Sequence, residues 1–145
     1  MIAMVYDFLE LLGFHQPLHP VPVRFTAAMI VGALVFALIA RRTRRPMLYT
    51  TARHVFTFGV IAFVFTVLTG LMDWFHFYGA TWNHPIRMKM ILSIVLLPLL
   101  VLAAHLNMRK IRLAKRSDAT ALLIVYALAA VVVSFIVYYG GELAR

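Results

Sequence analysis

The chain has no cysteine among its 145 residues. That excludes disulfides, thiolate-ligated or covalently attached haem, and cysteine-ligated iron–sulfur clusters. Acidic residues number five against 14 Lys and Arg, and all charged residues together make up only 13%. A chain that is 63% hydrophobic with so little charge is too apolar for an ordinary soluble domain. The middle thirds of its long apolar runs hold no Asp, Glu, Lys, Arg or His. Ion-coupled transporters and pumps place an ionisable group near the midplane, so a small permease is disfavoured. No nucleophile–base pair, phosphate loop or paired-carboxylate motif is present, so no catalytic residue is nominated and an enzyme is not expected.

What the chain does have is apolar length. Four runs, over 21–40, 52–74, 86–108 and 119–139, each approach or exceed the roughly 20 helical residues that cross a hydrocarbon core. They predict an all-α fold, an integral membrane four-helix bundle in a single domain over 1–145. Residues 1–12 are too short to span. Asp7 and Glu10 lie three apart on one helical face of an otherwise apolar segment. This predicts an interfacial amphipathic helix, stopped at Gly13 and followed by a proline-rich turn. The N-terminus lacks the basic leader and cleavage pattern of a secretory signal.

The formal charge of +9 could suggest nucleic acid. Its distribution argues otherwise. Arg41, Arg42, Arg44, Arg45 and Arg53 form one cluster and Arg109, Lys110, Arg112, Lys115 and Arg116 a second, ten of the 14 in all. Only Arg24, Arg87, Lys89 and Arg145 fall towards the opposite side. Basic residues beside helix ends obey the positive-inside rule and meet anionic lipid. The expected partner is therefore the lipid bilayer and not nucleic acid. Both basic loops are predicted to be cytoplasmic and both termini outside, in the periplasm for a bacterial inner membrane. Trp74, Phe75, Phe77, Tyr78, Trp82, Tyr138 and Tyr139 form the aromatic belt of that outer boundary.

The six histidines fall into two layers. His54 and His105 lie at the inner ends of the second and third spans, which a short connection makes antiparallel neighbours. Facing neutral imidazoles across an apolar slot would suit a b-type haem, and helical phase allows it. His54 and His76 are 22 residues apart, within roughly 40° of one face, and His84 and His105 are 21 apart, within roughly 60°. Histidines at helix ends are also cheap, because they reach water and headgroups, and that reading competes with the haem. At the outer level His19, Asp73, His84 and Glu142 converge from four segments, with His15 and His76 nearby. Such a group could hold a divalent metal, ligate a haem with Arg24, Arg87 or Lys89 near its propionates, or form a polar cap closing the bundle, with Asp73 expected to contact Arg24, His19 or His84.

Three short motifs occur in a telling order: Leu18-His19-Pro20 before the first span, Thr69-Gly70-Leu71-Met72-Asp73-Trp74 ending the second, and Gly140-Gly141-Glu142-Leu143 after the fourth. With four correctly spaced helices, they resemble the bacterial four-helix membrane family called domain of unknown function 2231, over about 18–143. The resemblance implies the membrane fold and singles out His19, Asp73 and Glu142. Fusion of some relatives to Rieske-type domains implies company with electron-transfer proteins.

Two functions follow as expectations. The first is a non-catalytic accessory subunit packed against other membrane-protein subunits of a larger, possibly electron-transfer, complex. The alternative is a redox membrane subunit binding b-type haem or quinone.

Overall fold

The computed structural model describes Tyr6, Asp7, Leu11, Leu18, Pro20–Met108 and Arg116–Glu142. Most of the predicted interfacial helix over 1–12 lies outside the described residues; Tyr6, Asp7 and Leu11 are helical. Four long helices follow: α1 Pro20–Thr43, α2 Pro46–His76, α3 His84–Met108 and α4 Arg116–Glu142. All four are long and apolar enough to cross a membrane, with mean hydropathies of 2.2 to 2.7 in their spanning windows. The fold is an all-α membrane four-helix bundle.

The helices run past the apolar stretches because their polar ends also favour helix. Pro20 and Pro46 occupy first turns, where the missing N–H is no loss. Arg41 and Arg42 lie in the last turn of α1, where cations complement the helix dipole. The turn into α2 is only Arg44 and Arg45. Arg44 takes the left-handed conformation (φ 56°) and Arg45 is extended. At 31 residues, roughly 46 Å, α2 exceeds the hydrocarbon thickness and must tilt or project beyond it. Pro98 sits inside a continuous α3 and leaves the Ile94 carbonyl without its helical donor.

Inward faces repeat at intervals of three and four. In α1 the buried positions are Val23, Thr26, Ile30, Ala33, Ala37 and Ala40. In α2, Ala52, Phe56, Gly59, Phe63, Thr66 and Asp73 continue one stripe down to its final turn. That spacing gives the small crossing angles of four-helix bundles. Small residues set the closest approach, since a Cβ on Gly59 would lie 3.2 Å from Met29 Cβ and 3.4 Å from Ile30 Cγ1. The interior is apolar apart from paired groups. Thr26 and Thr66 hydroxyls meet at 2.9 Å, and Asn107 Nδ2 donates to Tyr126 Oη at 2.9 Å. Tyr126 also stacks on Phe56, with ring centroids 4.9 Å apart.

The packing order around the bundle is α2, α1, α4, α3. α1 packs along both α2 and α4, and α4 along α3, whereas α2 and α3 barely meet. Their short connection therefore does not make them packing neighbours. It fixes only the two ends it joins, and the helices stand apart along most of their length.

Candidate functional site

The connection 77–83 is braced by its own hydrogen bonds. Trp74 Nε1 donates to Thr81 O at 2.9 Å, and Ala80 N–H donates to Trp74 O at 3.1 Å. Gly79 and Ala80 both adopt positive φ, 54° and 57°, which lets seven residues reverse the chain. The reversal holds the helix ends apart, and between α2 and α3 lies a cavity of about 710 Å³.

Each helix contributes to its walls. α2 presents Thr66, Val67, Gly70, Leu71, Asp73 and Trp74; α3 presents Ile86, Lys89, Met90, Ser93 and Ile94. α1 adds Pro20, Val21 and Arg24, α4 adds Ile136 and Gly140, and Tyr78 closes the connection side. The lining is mostly apolar, with the charged groups Arg24, Asp73 and Lys89 toward the end nearest the α2–α3 connection and the hydroxyls of Thr66 and Ser93 deeper along the walls. Tryptophan and tyrosine at that level mark a boundary between hydrocarbon and water.

Asp73 is the buried carboxylate of this end, only 2% exposed. Its Oδ1 accepts hydrogen bonds from the Tyr6 hydroxyl and from Leu18 N–H, the latter at 3.2 Å. A buried carboxylate must be paired or hydrogen-bonded, and here the N-terminal segment supplies the donors. The Tyr6 ring stacks on His76 at 4.1 Å with an interplanar angle of 7°, and meets Phe77 edge-on. Burial, then the hydrogen bond to Asp73 and its charge, push the Tyr6 phenol well above its usual range. A raised folded value means this contact is fully kept below the unfolded tyrosine pKa near 10, and lost only in strong alkali. Burial and the charge of Asp73 also push Tyr78 up.

Of the sequence-nominated residues, the structure describes the side chains of Asp73, His84, His54 and His105. Asp73 and Arg24 share the cavity wall, with Arg24 exposed at its mouth. His84 is exposed at the start of α3, its ring 6.2 Å from that of Tyr139. His19 lies outside the described residues, as does the side chain of Glu142. Among the described residues no group of three or more His, Asp or Glu is placed to hold a metal ion. His54 and His105 are both exposed, on helices that barely meet, while Phe56 and Asn107, two residues further along each helix, are buried and both contact Tyr126 of α4. Sequence reasoning missed Tyr6, because its partner is 67 residues away, and counted Lys89 among the basic residues of the outer side.

No curated protein and no solved structure matches the chain. The family model described as "Predicted membrane protein (DUF2231)" matches residues 15–145, which includes all four helices and the cavity. The chain belongs to this family of membrane proteins.

Proposed function

We propose that this chain is a non-catalytic membrane subunit that holds a small amphiphile in the cleft between α2 and α3. The observation that carries this reading is the cavity itself. At about 710 Å³ it falls within the range of small-molecule sites, with mostly apolar walls and its charged groups toward one end. A tail would lie along Val67, Leu71, Met90 and Ile94, and a head would sit among Arg24, Asp73 and Lys89. An isoprenoid quinone is one amphiphile of this shape. A b-type haem is less well matched, because its expected ligands, His54 and His105, are exposed and far along the helices from the cleft. The exterior is apolar on all sides, including Phe58, Phe65, Val101 and Phe135, which supports packing against lipid or a larger membrane complex.

Trp74 gives the test, since it lines the cavity. In a Trp82→Phe protein it is the sole tryptophan, because the chain has two. Brominated-chain amphiphiles added to detergent micelles should quench it saturably and at low mole fraction. Quenching that merely rises in proportion to bulk mole fraction, for anionic and neutral probes alike, would show that no site exists.

The cleft end faces the outer, periplasmic side of a bacterial inner membrane in this reading, on the support of the ten-to-four split of basic residues. The cysteine-free chain makes this simple to check. Single cysteines at Thr43 and Ser117 are expected to resist an impermeant thiol reagent in intact cells and to react after lysis. Ready labelling of both in intact cells would reverse the orientation.

A further inference from the structure

The buried residues of α3 include Ile86 and Leu96, with Leu100, Ala103 and Asn107 beyond them. Lys89 and Ser93 fill the two positions between Ile86 and Leu96 that complete the same three-and-four spacing. A lysine therefore stands where bundle packing calls for an apolar residue, and its side chain is half-buried. It does not run outwards along α3 to the surface. The chain crosses to α4, where a Cβ on Gly140 would lie 3.5 Å from Lys89 Cε and 3.6 Å from Nζ. Glycine at 140 leaves a shallow floor beneath the ammonium group. Among the described residues Lys89 makes no hydrogen bond or ion pair within 4 Å, and the carboxylate whose charge acts on it is Asp73.

Charge on the described lining of this end is unbalanced. Among the described lining residues Lys89 and Arg24 are cationic and Asp73 alone is anionic. Asp73 already accepts hydrogen bonds from the Tyr6 hydroxyl and Leu18 N–H, so part of its acceptor capacity is spent on the N-terminal segment. A cation held within an apolar cleft calls for a counter-charge, because an ammonium partly removed from water is costly unless paired. The last carbonyls of α4 supply partial negative charge near Gly140.

We infer that the cleft selects amphiphiles with an anionic headgroup, a carboxylate or phosphate on a hydrocarbon tail, with Lys89 as the headgroup-binding residue and Arg24 assisting at the mouth. This rests on the amphiphile-binding reading of the same cleft. The ammonium offers three donors as a compact point charge, which suits either headgroup without demanding a fork-like geometry. The tail then follows the apolar wall of Met90 and Ile94 away from the interface.

The full chain with Trp74 as its only tryptophan, in neutral detergent, is titrated with three probes: 9,10-dibromostearate, a brominated phosphatidylglycerol and neutral 9,10-dibromostearyl alcohol. At least one anionic probe is expected to saturate at about tenfold lower mole fraction than the alcohol, the effect of one charge-assisted contact. Lys89→Gln should erase that preference, while Lys89→Arg should retain most of it. A preference for stearate alone identifies a free fatty-acid carboxylate, and one for phosphatidylglycerol alone a lipid phosphate. Equal affinities of the wild-type chain for all three probes overturn the inference but leave the cleft reading standing, and this comparison needs no variant to fold. A preference that survives Lys89→Gln also overturns it. Absence of saturation with every probe removes both readings.

Discussion

Asp73→Ala is expected to destabilise the folded protein by about 3 kcal/mol, because two donors lose a charged acceptor and the Tyr6 hydroxyl is left buried. The effect has two parts that can be separated. The bundle end at α2 loses its link to Leu18, so unfolding in mixed micelles should begin at lower denaturant. The N-terminal segment also loses its anchor, so amide exchange around Tyr6 and Leu18 should accelerate while the α1–α4 core stays protected. Asp73→Asn keeps an acceptor oxygen and should cost about half as much, since neutral hydrogen bonds are roughly half as strong. An Asp73→Ala protein as stable as the wild type, with an unchanged exchange pattern around Leu18, would show that this carboxylate anchors nothing.

A larger loss is expected at Gly59. A Cβ there would lie 3.2 Å from Met29 Cβ, tighter than ordinary carbon contacts, and Ile30 Cγ1 and the Ile30 backbone nitrogen stand just beyond. Gly59→Leu must therefore push α1 away from α2 along the most extensive interface of the bundle. Overpacking of this kind costs about 1–3 kcal/mol, and a branched four-carbon side chain at a helix contact belongs at or above the top of that range. Gly59→Ala should cost less, about 1 kcal/mol, because only the first carbon must be accommodated. Gly141→Leu is the control. A Cβ there has nothing within 4 Å, so it should leave the unfolding midpoint unchanged. Equal midpoints for Gly59→Leu and Gly141→Leu would mean that the α1–α2 contact is not as close as described.

The four spans were legible because hydropathy alone determines which segments can leave water. The basic clusters and the Trp74–Trp82 region likewise marked the two ends of the bundle. Partner choice among the helices was not legible. Helix exteriors here are as apolar as interiors, so Phe58 and Phe65, both exposed, read no differently from buried Phe56 and Phe63. In lipid the inward face is chosen by size and fit rather than polarity. Gly59, Ala33 and Ala37 are the signal, and it is carried by the absence of side chain. The loop between α2 and α3 misled for a related reason, since proximity of two ends says nothing about contact along two helices.

The site was half legible. Asp73 stood out as a carboxylate at the end of an apolar run, and its burial could be expected. Its Tyr6 partner could not, because the contact joins segments 67 residues apart. Histidines drew attention as potential ligands, yet His54, His76, His84 and His105 are all exposed. Lys89 was the reverse case. It counted as one of four basic residues on the outer side, whereas its spacing from Ile86 and Leu96 assigns it to the inward stripe.

The central claim is that the space between α2 and α3 is a binding site rather than a packing gap, and filling it is the most direct test. Ser93 lies on the cavity wall, half-buried and on the inward stripe of α3. Ser93→Phe places a ring where the proposed tail would run. In the protein with Trp74 as sole tryptophan, the brominated amphiphile that saturates in the wild-type background should lose saturable quenching when residue 93 is Phe, with the unfolding midpoint preserved. Saturation that persists at the same mole fraction in the folded Ser93→Phe protein would contradict the account, because the bound molecule would then lie somewhere other than the cleft.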